Sequence, residues 1–365
     1  MRVLFYVGDK RWSGSARAAL VAARGLAARG HAVTVACCPD SRLDHLARAA
    51  DLDTVSINGD SSTVGGAWDL RKLIQAKFIE VAVVTSERDQ LIVSSARLFA
   101  DRGAVLRRVP CFETLELQRA GRLSVRLAAS GVIVTARREL EELPRLGWAF
   151  PPIVVPLGVD PASYDAVAPE PRTSMSAPTD GLLIACHYDA SGRHRISSVF
   201  RTLALMAPRH RNMHVVVFGP DSRDEELKLH ASALGVGSLV SFVGEPEDER
   251  TVMRAANAGW IVSGADSAAF ACLDFMSLRI PVIAERTPLT RHFVADGITG
   301  TLLPGADTAK TASEVAAFLA SPERLAAMGN AARARVQREF NQTAMIDDFE
   351  RAVNGAGDRT LWARA

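Results

Sequence analysis

GLLIACHYDASGRHRISSVFRTLALMAPRHRNMHVVVFGP, Gly181 to Pro220, holds two short apolar runs on either side of a segment with helical periodicity. The runs LLIAC and HVVVF do not alternate apolar with polar residues, so both faces of each strand must be covered. SVFRTLALMAPRH between them has the spacing of an amphipathic helix. Strand, helix and strand of this kind make a parallel βαβ unit. The same grammar continues downstream through DEELKLHASALG, SLVSFVGE, ERTVMRAAN, WIVSGA and IPVIAE. Upstream it appears in RVLFYVG, ARAALVAARGLAARG, HAVTVACC, VAVVTS, GAVLRR, SGVIVTA and RRELEELPRLG.

Between the two sets lies VPLGVDPASYDAVAPEPRTSMSAPTDG, rich in Pro, Ser and Thr and without periodicity, as a linker would be. The expected fold is therefore α/β, with two Rossmann-like domains whose parallel sheets face across a cleft. The first domain is expected over residues 1–165, the linker over 166–180 and the second domain over 181–340. A C-terminal helix and tail, 341–365, is expected to cross back to the first domain. Such sheets bind ligands at the carboxyl ends of their strands, which makes the cleft the expected site.

Composition narrows the function. A chain of 365 residues is too long for one ordinary core, and 48% hydrophobic with 23% charged residues suits a globular protein. A net charge of +2 gives no reason to expect nucleic acid as partner. The five cysteines, Cys37, Cys38, Cys111, Cys186 and Cys272, form no CxxC pair, so reduced thiols in the cytoplasm are expected. MRVLFYVG reads as a strand and not as a secretion signal, and no apolar run approaches the roughly 18 residues of a membrane span. Any membrane contact is expected to be peripheral, at the inner face.

Several short stretches carry candidate chemistry. Gly14, between Ser13 and Ser15, precedes a helix, where a glycine either lets backbone amides approach a phosphate or sugar or simply tightens the turn. Gly8 and Gly14 are too far apart for a dinucleotide fingerprint. DSAAFACLD, Asp266 to Asp274, follows the strand WIVSGA and opens a buried helix. Asp266 and Ser267 stand at the expected N-cap, which would leave the amides around Ala268 to Ala271 open to a diphosphate. In an ideal helix the two acids lie roughly 12 Å and about 80° apart, so they bracket the helix end. Taken alone, the stretch reads more simply as a plain cap, Asp266, and a solvated acid, Asp274. Asp89 in SERDQL is open between an acceptor contact and a helix cap. Arg119, Arg122 and Arg126 stand at helical spacing with leucines between them, either on a solvated face or against an anionic membrane.

The chain resembles the retaining GT-B glycosyltransferases of glycosyltransferase family 4 (glycosyltransferase group 1). The resemblance runs through SGSARAALVAARGLAARGHAVTV, IVVPLGVDPASY, HVVVFGP, SLVSFVGE, DSAAFACLDFMSLRIPVIAE and VADGITGTLLP. It implies that Asp266 and Asp274 occupy the places of two family glutamates seven residues apart, the first at the donor sugar and the second at the nucleotide ribose. It further implies Arg193 and Arg195 at the pyrophosphate, Gly219 in a turn, and Phe242 and Val243 at the base. Ala269, Phe270 and Ala271 would line the donor side, with Gly14, Ser15, Asp89 and Arg108 towards the acceptor. The strand end VLRRVP offers Arg107 beside Arg108, and the early histidines are His31 and His45.

The implied activity is transfer of a hexosyl unit from a nucleotide-diphosphate sugar to a hydroxyl with retention, in cell-envelope glycan or glycolipid synthesis. The implied partners are that donor and a glycan or lipid-linked acceptor. No cofactor is expected. No metal is needed on this reading, since arginines and a helix N-terminus can neutralise the leaving diphosphate, and no HxH or DxD pattern is evident to hold one. The alternative is a catalytically degenerate GT-B protein that binds nucleotide sugar or glycan without turnover. Its basis is the two acids, each about 1.5 Å shorter than glutamate, with Ser267-Ala268 and Thr287-Pro288 where the family carries glycines.

Overall fold

A computed structural model describes every residue except 59–62, 211, 306 and 363–365. By internal contacts the chain divides into two units, Met1–Leu157 with Gln342–Ala365, and Gly158–Asn341.

The first unit is built on seven parallel strands: β1 (Arg2–Val7), β2 (Ala32–Cys37), β3 (Asp53–Ser56), β4 (Val81–Val84), β5 (Ala104–Arg108), β6 (Ser130–Val134) and β7 (Ile153–Val154). Their order is β3-β2-β1-β4-β5-β6-β7, so the chain reverses its direction of travel between β1 and β4. The connecting helices are α1 (Gly14–Ala28), α2 (Arg42–Ala49), α3 (Thr63–Ala76), α4 (Glu87–Ala100), α5 (Arg119–Leu127) and the single turn α6 (Glu139–Glu142). Helices α3, α4 and α5 pack side by side on one face, as right-handed crossovers require.

The second unit has six parallel strands: β8 (Leu182–His187), β9 (Met213–Phe218), β10 (Val240–Gly244), β11 (Ala258–Ile261), β12 (Val282–Glu285) and β13 (Gly300–Leu303). Their order is β10-β9-β8-β11-β12-β13, with the reversal between β8 and β11. Helices α7 (Arg193–Met206), α8 (Glu225–Ala233), α9 (Glu249–Arg254), α10 (Ala265–Ser277), α11 (Pro288–Phe293), α12 (Thr308–Leu319) and α13 (Pro322–Glu339) complete it. Phe200 of α7 and Trp260 of β11 are enclosed in one core with α8 and α12. Each such ring contributes about 1.5–3 kcal/mol by leaving water. On the other face Phe275 of α10 lies against Gly259, where an added Cβ would come within 2.6 Å of three ring atoms.

Helix α14 (Gln342–Trp362) belongs to the first unit. Arg29 donates to Glu350 at 2.6 Å and also pairs with Asp347, while the Phe5 and Phe349 rings stand 5.8 Å apart. By sequence the last helical segment is AMIDDFERAVNG, ending at Gly355, with DRTLWARA as a ragged tail, and the structure corrects this by continuing the helix to Trp362. Ala356 is buried and Gly357 lies so close to Met1 that an added Cβ would sit 1.8 Å from its Cε, so packing carries the helix past its glycines. The stretch expected as a linker, 166–180, lies within the second unit. Glu170 donates its backbone N–H to Thr251 O at 2.9 Å, and Arg172 donates to Gly181 O at 2.9 Å.

Candidate functional site

In the second unit the reversal point brings two helix starts together. Ile261, the last residue of β11, pairs with His187, the last of β8. Each strand then turns into a helix, β8 through a single 3-10 turn at Ala190–Gly192 and β11 through Val262 to Gly264. The turns touch. A Cβ on Gly192 would lie 1.7 Å from Val262 O, and one on Gly264 would lie 2.6 Å from Ser191 Oγ. Gly192 and Gly264 are the N-caps of α7 and α10, and neither helix is closed by a cap side chain. Two positive helix ends therefore sit side by side at the carboxyl edge of the sheet, which favours a bound anion. Ala265 is held at φ +43°, a left-handed value that costs a non-glycine residue energy and that clusters at functional turns.

Arg195 bridges the two turns. Its Nε donates to Val262 O at 3.2 Å and its Nη2 to Ser263 O at 3.0 Å. A pocket of about 170 Å³ opens beside it, bordered by His194, Val262, Glu285 and Gly305. Arg193 is in the first turn of α7, not in a loop, and its exposed guanidinium pairs with Asp224 and Glu226 at 2.8 Å each. These acids raise its pKa further, the Asp224 hydrogen bond first among the causes. The two arginines expected to act together therefore face different partners.

The helix of DSAAFACLD starts earlier than expected. Gly264, in an extended conformation, takes the cap position, and Asp266 is the second residue of α10. Ala268 N–H already bonds to Gly264 O at 3.1 Å, so the amides from Ala268 onward belong to the helix ladder. Ala269, Phe270 and Ala271 are buried within it. The expectation of open amides there is thus corrected, since they lie earlier in the turn. Asp266 and Asp274 are both buried. Asp274 accepts a hydrogen bond from Tyr164 Oη at 2.5 Å. Tyr164 ends the 3-10 turn Pro161–Tyr164, and the Arg250 guanidinium stacks 5.4 Å above its ring.

His187 continues this polar cluster. Its Nδ1 is 2.7 Å from Ser263 Oγ and its Nε2 is 3.6 Å from Glu249. Burial acts to lower its pKa, but the Glu249 contact and the charges of Glu249, Asp189 and Asp274 outweigh that and raise it. Neither His187 nor Tyr164 was singled out from the sequence. A polar residue ending the otherwise apolar strand LLIACH was the available signal for the first.

Gly219 stands at φ +121°, and a Cβ there would come within 2.1 Å of Tyr188 O, so the turn after β9 requires glycine. Phe242 and Val243 lie on the edge strand β10 at a register irregularity. The Phe242 ring meets Phe200 edge-on at 6.2 Å, and Val243 O accepts from Arg223 Nε at 3.1 Å.

The first unit has its own pocket at its reversal point. It measures about 460 Å³ and is lined by Gly8, Lys10, Cys38, Asn58, Arg88 and Asp89 among others. Gly14 and Ser15 open α1, where Ser13 accepts from Ala16 N–H at 3.2 Å, and neither lines this pocket. Ser86, not Asp89, caps α4, and the Asp89 carboxylate accepts from Gly8 N–H at 3.3 Å. Burial raises the Asp89 pKa, with hydrogen bonds from Ser86 and Gly8 and the charge of Arg107 opposing. Arg107 is the β5 arginine whose charge acts on Asp89. Arg108 instead acts on Glu139, whose carboxylate accepts from Phe112 N–H at 2.8 Å and Ala136 N–H at 2.5 Å. Neighbouring strand residues point to opposite sheet faces, which separates the two arginines. Burial lowers the Arg107 pKa to about 10, and its Nε and Nη1 have no hydrogen-bond partner among the described residues.

Residues 183–335 match the family model described as Glycosyl transferases group 1. The chain is 30% identical over 247 residues to D-inositol 3-phosphate glycosyltransferase 2 of Catenulispora acidiphila, covering 62% of this chain and 57% of that protein. It is also 30% identical over 196 residues to a GDP-mannose-dependent alpha-(1-6)-phosphatidylinositol monomannoside mannosyltransferase of Mycolicibacterium smegmatis, covering 49% of this chain and 50% of that protein. The chain thus spans about half the length of the curated relatives it matches. In structure it is similar to Anabaena Alr3699/HepE solved in complex with UDP and glucose, at TM-score 0.80 and 15% identity, covering 97% of this chain and all of that one. That likeness establishes the GT-B fold, two Rossmann-like parallel-sheet domains.

Proposed function

We propose that the group 1 glycosyl transferase domain matched over residues 183–335 takes a nucleotide-diphosphate sugar at the paired starts of α7 and α10, and that the chain moves the hexosyl unit to a hydroxyl with retention of configuration. The observation that carries this reading is the contact of two uncapped helix N-termini at one sheet edge, bridged by Arg195. Aligned helix ends can hold a diphosphate and stabilise it as it leaves. Asp266, in the first turn of α10, is assigned to the donor sugar. Asp274 is assigned to the nucleotide ribose, with Tyr164 positioning its carboxylate. Phe242 and Val243 are assigned to the base. In the first unit the pocket beside Asp89 is assigned to the acceptor. The bond between the anomeric carbon and the diphosphate oxygen breaks, the acceptor oxygen bonds to the same face of the sugar, and its proton leaves with the diphosphate.

The names of the curated relatives and the UDP and glucose bound to HepE support a nucleotide-sugar donor and a sugar or lipid-borne acceptor. We place the activity in cell-envelope glycan or glycolipid synthesis, on the cytoplasmic side. No helix among the described residues is long and apolar enough to cross a membrane. The test is to incubate the chain with UDP-, GDP- and ADP-hexoses of α configuration and read the released or transferred sugar by NMR. An initial α product from one donor is expected. An initial β product contradicts retention. Binding of a donor without any turnover would favour the non-catalytic reading, which the full burial of Asp266 and Asp274 also suits.

A further inference from the structure

On the face of the second sheet that carries α7 and α12, the core opens at the carboxyl edge into the pocket of about 170 Å³. Side chains alternate along a strand, so Glu285, the last residue of β12, points to the same face as Ile283, which is enclosed in that core. Val199 of α7, Trp260 of β11 and Leu303 of β13 give the pocket an apolar wall, while Arg195, Glu285 and Thr311 give it polar groups.

The fold does not use these polar groups up. Thr311, in the first turn of α12, is 2% exposed, and its hydroxyl has no hydrogen-bond partner among the described residues. A buried hydroxyl left open in this way costs stability, and a bound group is the ordinary reason for keeping one. The Glu285 carboxylate forms no hydrogen bond or ion pair among the described residues, although Gly305 comes so close that an added Cβ would lie 2.7 Å from its Oε1. Arg195 is held by Val262 O through Nε and by Ser263 O through Nη2, which leaves Nη1 uncommitted among the described residues. A carboxylate and a guanidinium thus border one pocket without pairing to each other.

From these unpaired groups we infer that the pocket binds a small α-amino acid, its ammonium group on Glu285 and its carboxylate on Arg195. Two opposite charges that do not meet call for a ligand that carries both, since charge-assisted hydrogen bonds are about twice as strong as neutral ones. A neutral polyol would reach the same groups but leave both charges uncompensated. The apolar wall takes the side chain. A cavity of about 150 Å³ holds benzene, so this one admits roughly six to nine non-hydrogen atoms, the range of serine, threonine and valine. The pocket lies on the opposite face of the sheet from α10 and its two acids, so its occupant is distinct from the ligand assigned there. Arg195 is common to both places. An amino acid bound to it bears directly on the bridge between the starts of α7 and α10.

The experiment is saturation-transfer difference NMR on the full chain, without any nucleotide, with L-serine, L-threonine and L-valine as probes. At least one is expected to bind. Its decarboxylated amine and its deaminated acid, each smaller and short of one charge, should bind at least about tenfold more weakly. Glu285→Gln should weaken binding at least about tenfold at unchanged melting temperature, because the carboxylate makes no bond within the fold. Thr311→Val keeps the shape and removes the open hydroxyl, so it should weaken binding about threefold while the melting temperature holds or rises. Binding by none of the three amino acids, or equal binding by folded Glu285→Gln, overturns the inference. Glycerol bound in their place, with the same loss in Glu285→Gln, would overturn it too and assign the pocket to a polyol.

Discussion

Gly192→Ala is expected to destroy the candidate site and most of the stability of the second unit. The reason is geometric and local. A methyl at this position would sit 1.7 Å from Val262 O and 2.6 Å from Val262 C, which are backbone atoms that cannot rotate away. Gly192 has an ordinary φ of −90°, so the glycine is required by close approach and not by conformation. To admit the methyl, the turns after β8 and β11 must separate. That breaks both Arg195 hydrogen bonds and pulls the two helix starts apart. Overpacking against backbone costs more than the roughly 1–3 kcal/mol typical of side-chain overpacking. Urea denaturation should show a loss above about 3 kcal/mol, or no folded second unit at all. Gly147→Ala provides the contrast. It has φ +71° but nothing within 4 Å of an added Cβ, so only its conformational strain is felt.

Asp266→Asn is expected to leave the fold intact and to lower kcat by about a hundredfold or more, with little change in KM. Asn is nearly isosteric with Asp, and loss of a buried charge near a helix N-terminus costs up to about 2 kcal/mol of stability, which the fold withstands. The carboxylate matters for chemistry if it meets the donor sugar as positive charge develops on it. An interaction of that kind strengthens in the transition state, so its loss appears in kcat. Steady-state kinetics on the productive donor would check this. Activity within about threefold of the unmodified chain would reduce Asp266 to a charge complementing the helix dipole.

The two sheets were readable from the sequence because their strands are short apolar runs, such as VLFYV and HVVVF, that only a doubly covered sheet can bury. The candidate turns were sought at the carboxyl edge of the sheet for a general reason, since ligands gather where strand order reverses, and the structure puts the turns after β8 and β11 in contact at that reversal. What could not be read was which side chains meet. Tyr164 and Asp274 are separated by 110 positions, and His187 and Ser263 by 76, so no local pattern couples them. The start of α10 was misplaced for a different reason. Aspartate is a better N-cap than glycine by propensity, yet the extended Gly264 takes that place in a turn that abuts Ser191, whose hydroxyl would have to move to admit a Cβ. Arg193 and Arg195 looked equivalent in GRHR, but facing acids on α8 claim one and the backbone carbonyls of the β11 turn claim the other.

The start of α10, with its two acids, is expected to grip a nucleotide. Calorimetric titration of UDP, GDP, ADP and their hexose conjugates into the unmodified chain and into Asp274→Ala tests it most directly. Tyr164→Phe serves as control, because it removes the hydroxyl that meets Asp274 and keeps the carboxylate. One nucleotide should bind the unmodified chain and bind Asp274→Ala at least about tenfold more weakly, which is about 1.4 kcal/mol. Failure of every nucleotide and conjugate to bind the folded, unmodified chain would contradict the account and leave Asp266 and Asp274 as structural acids of a buried helix.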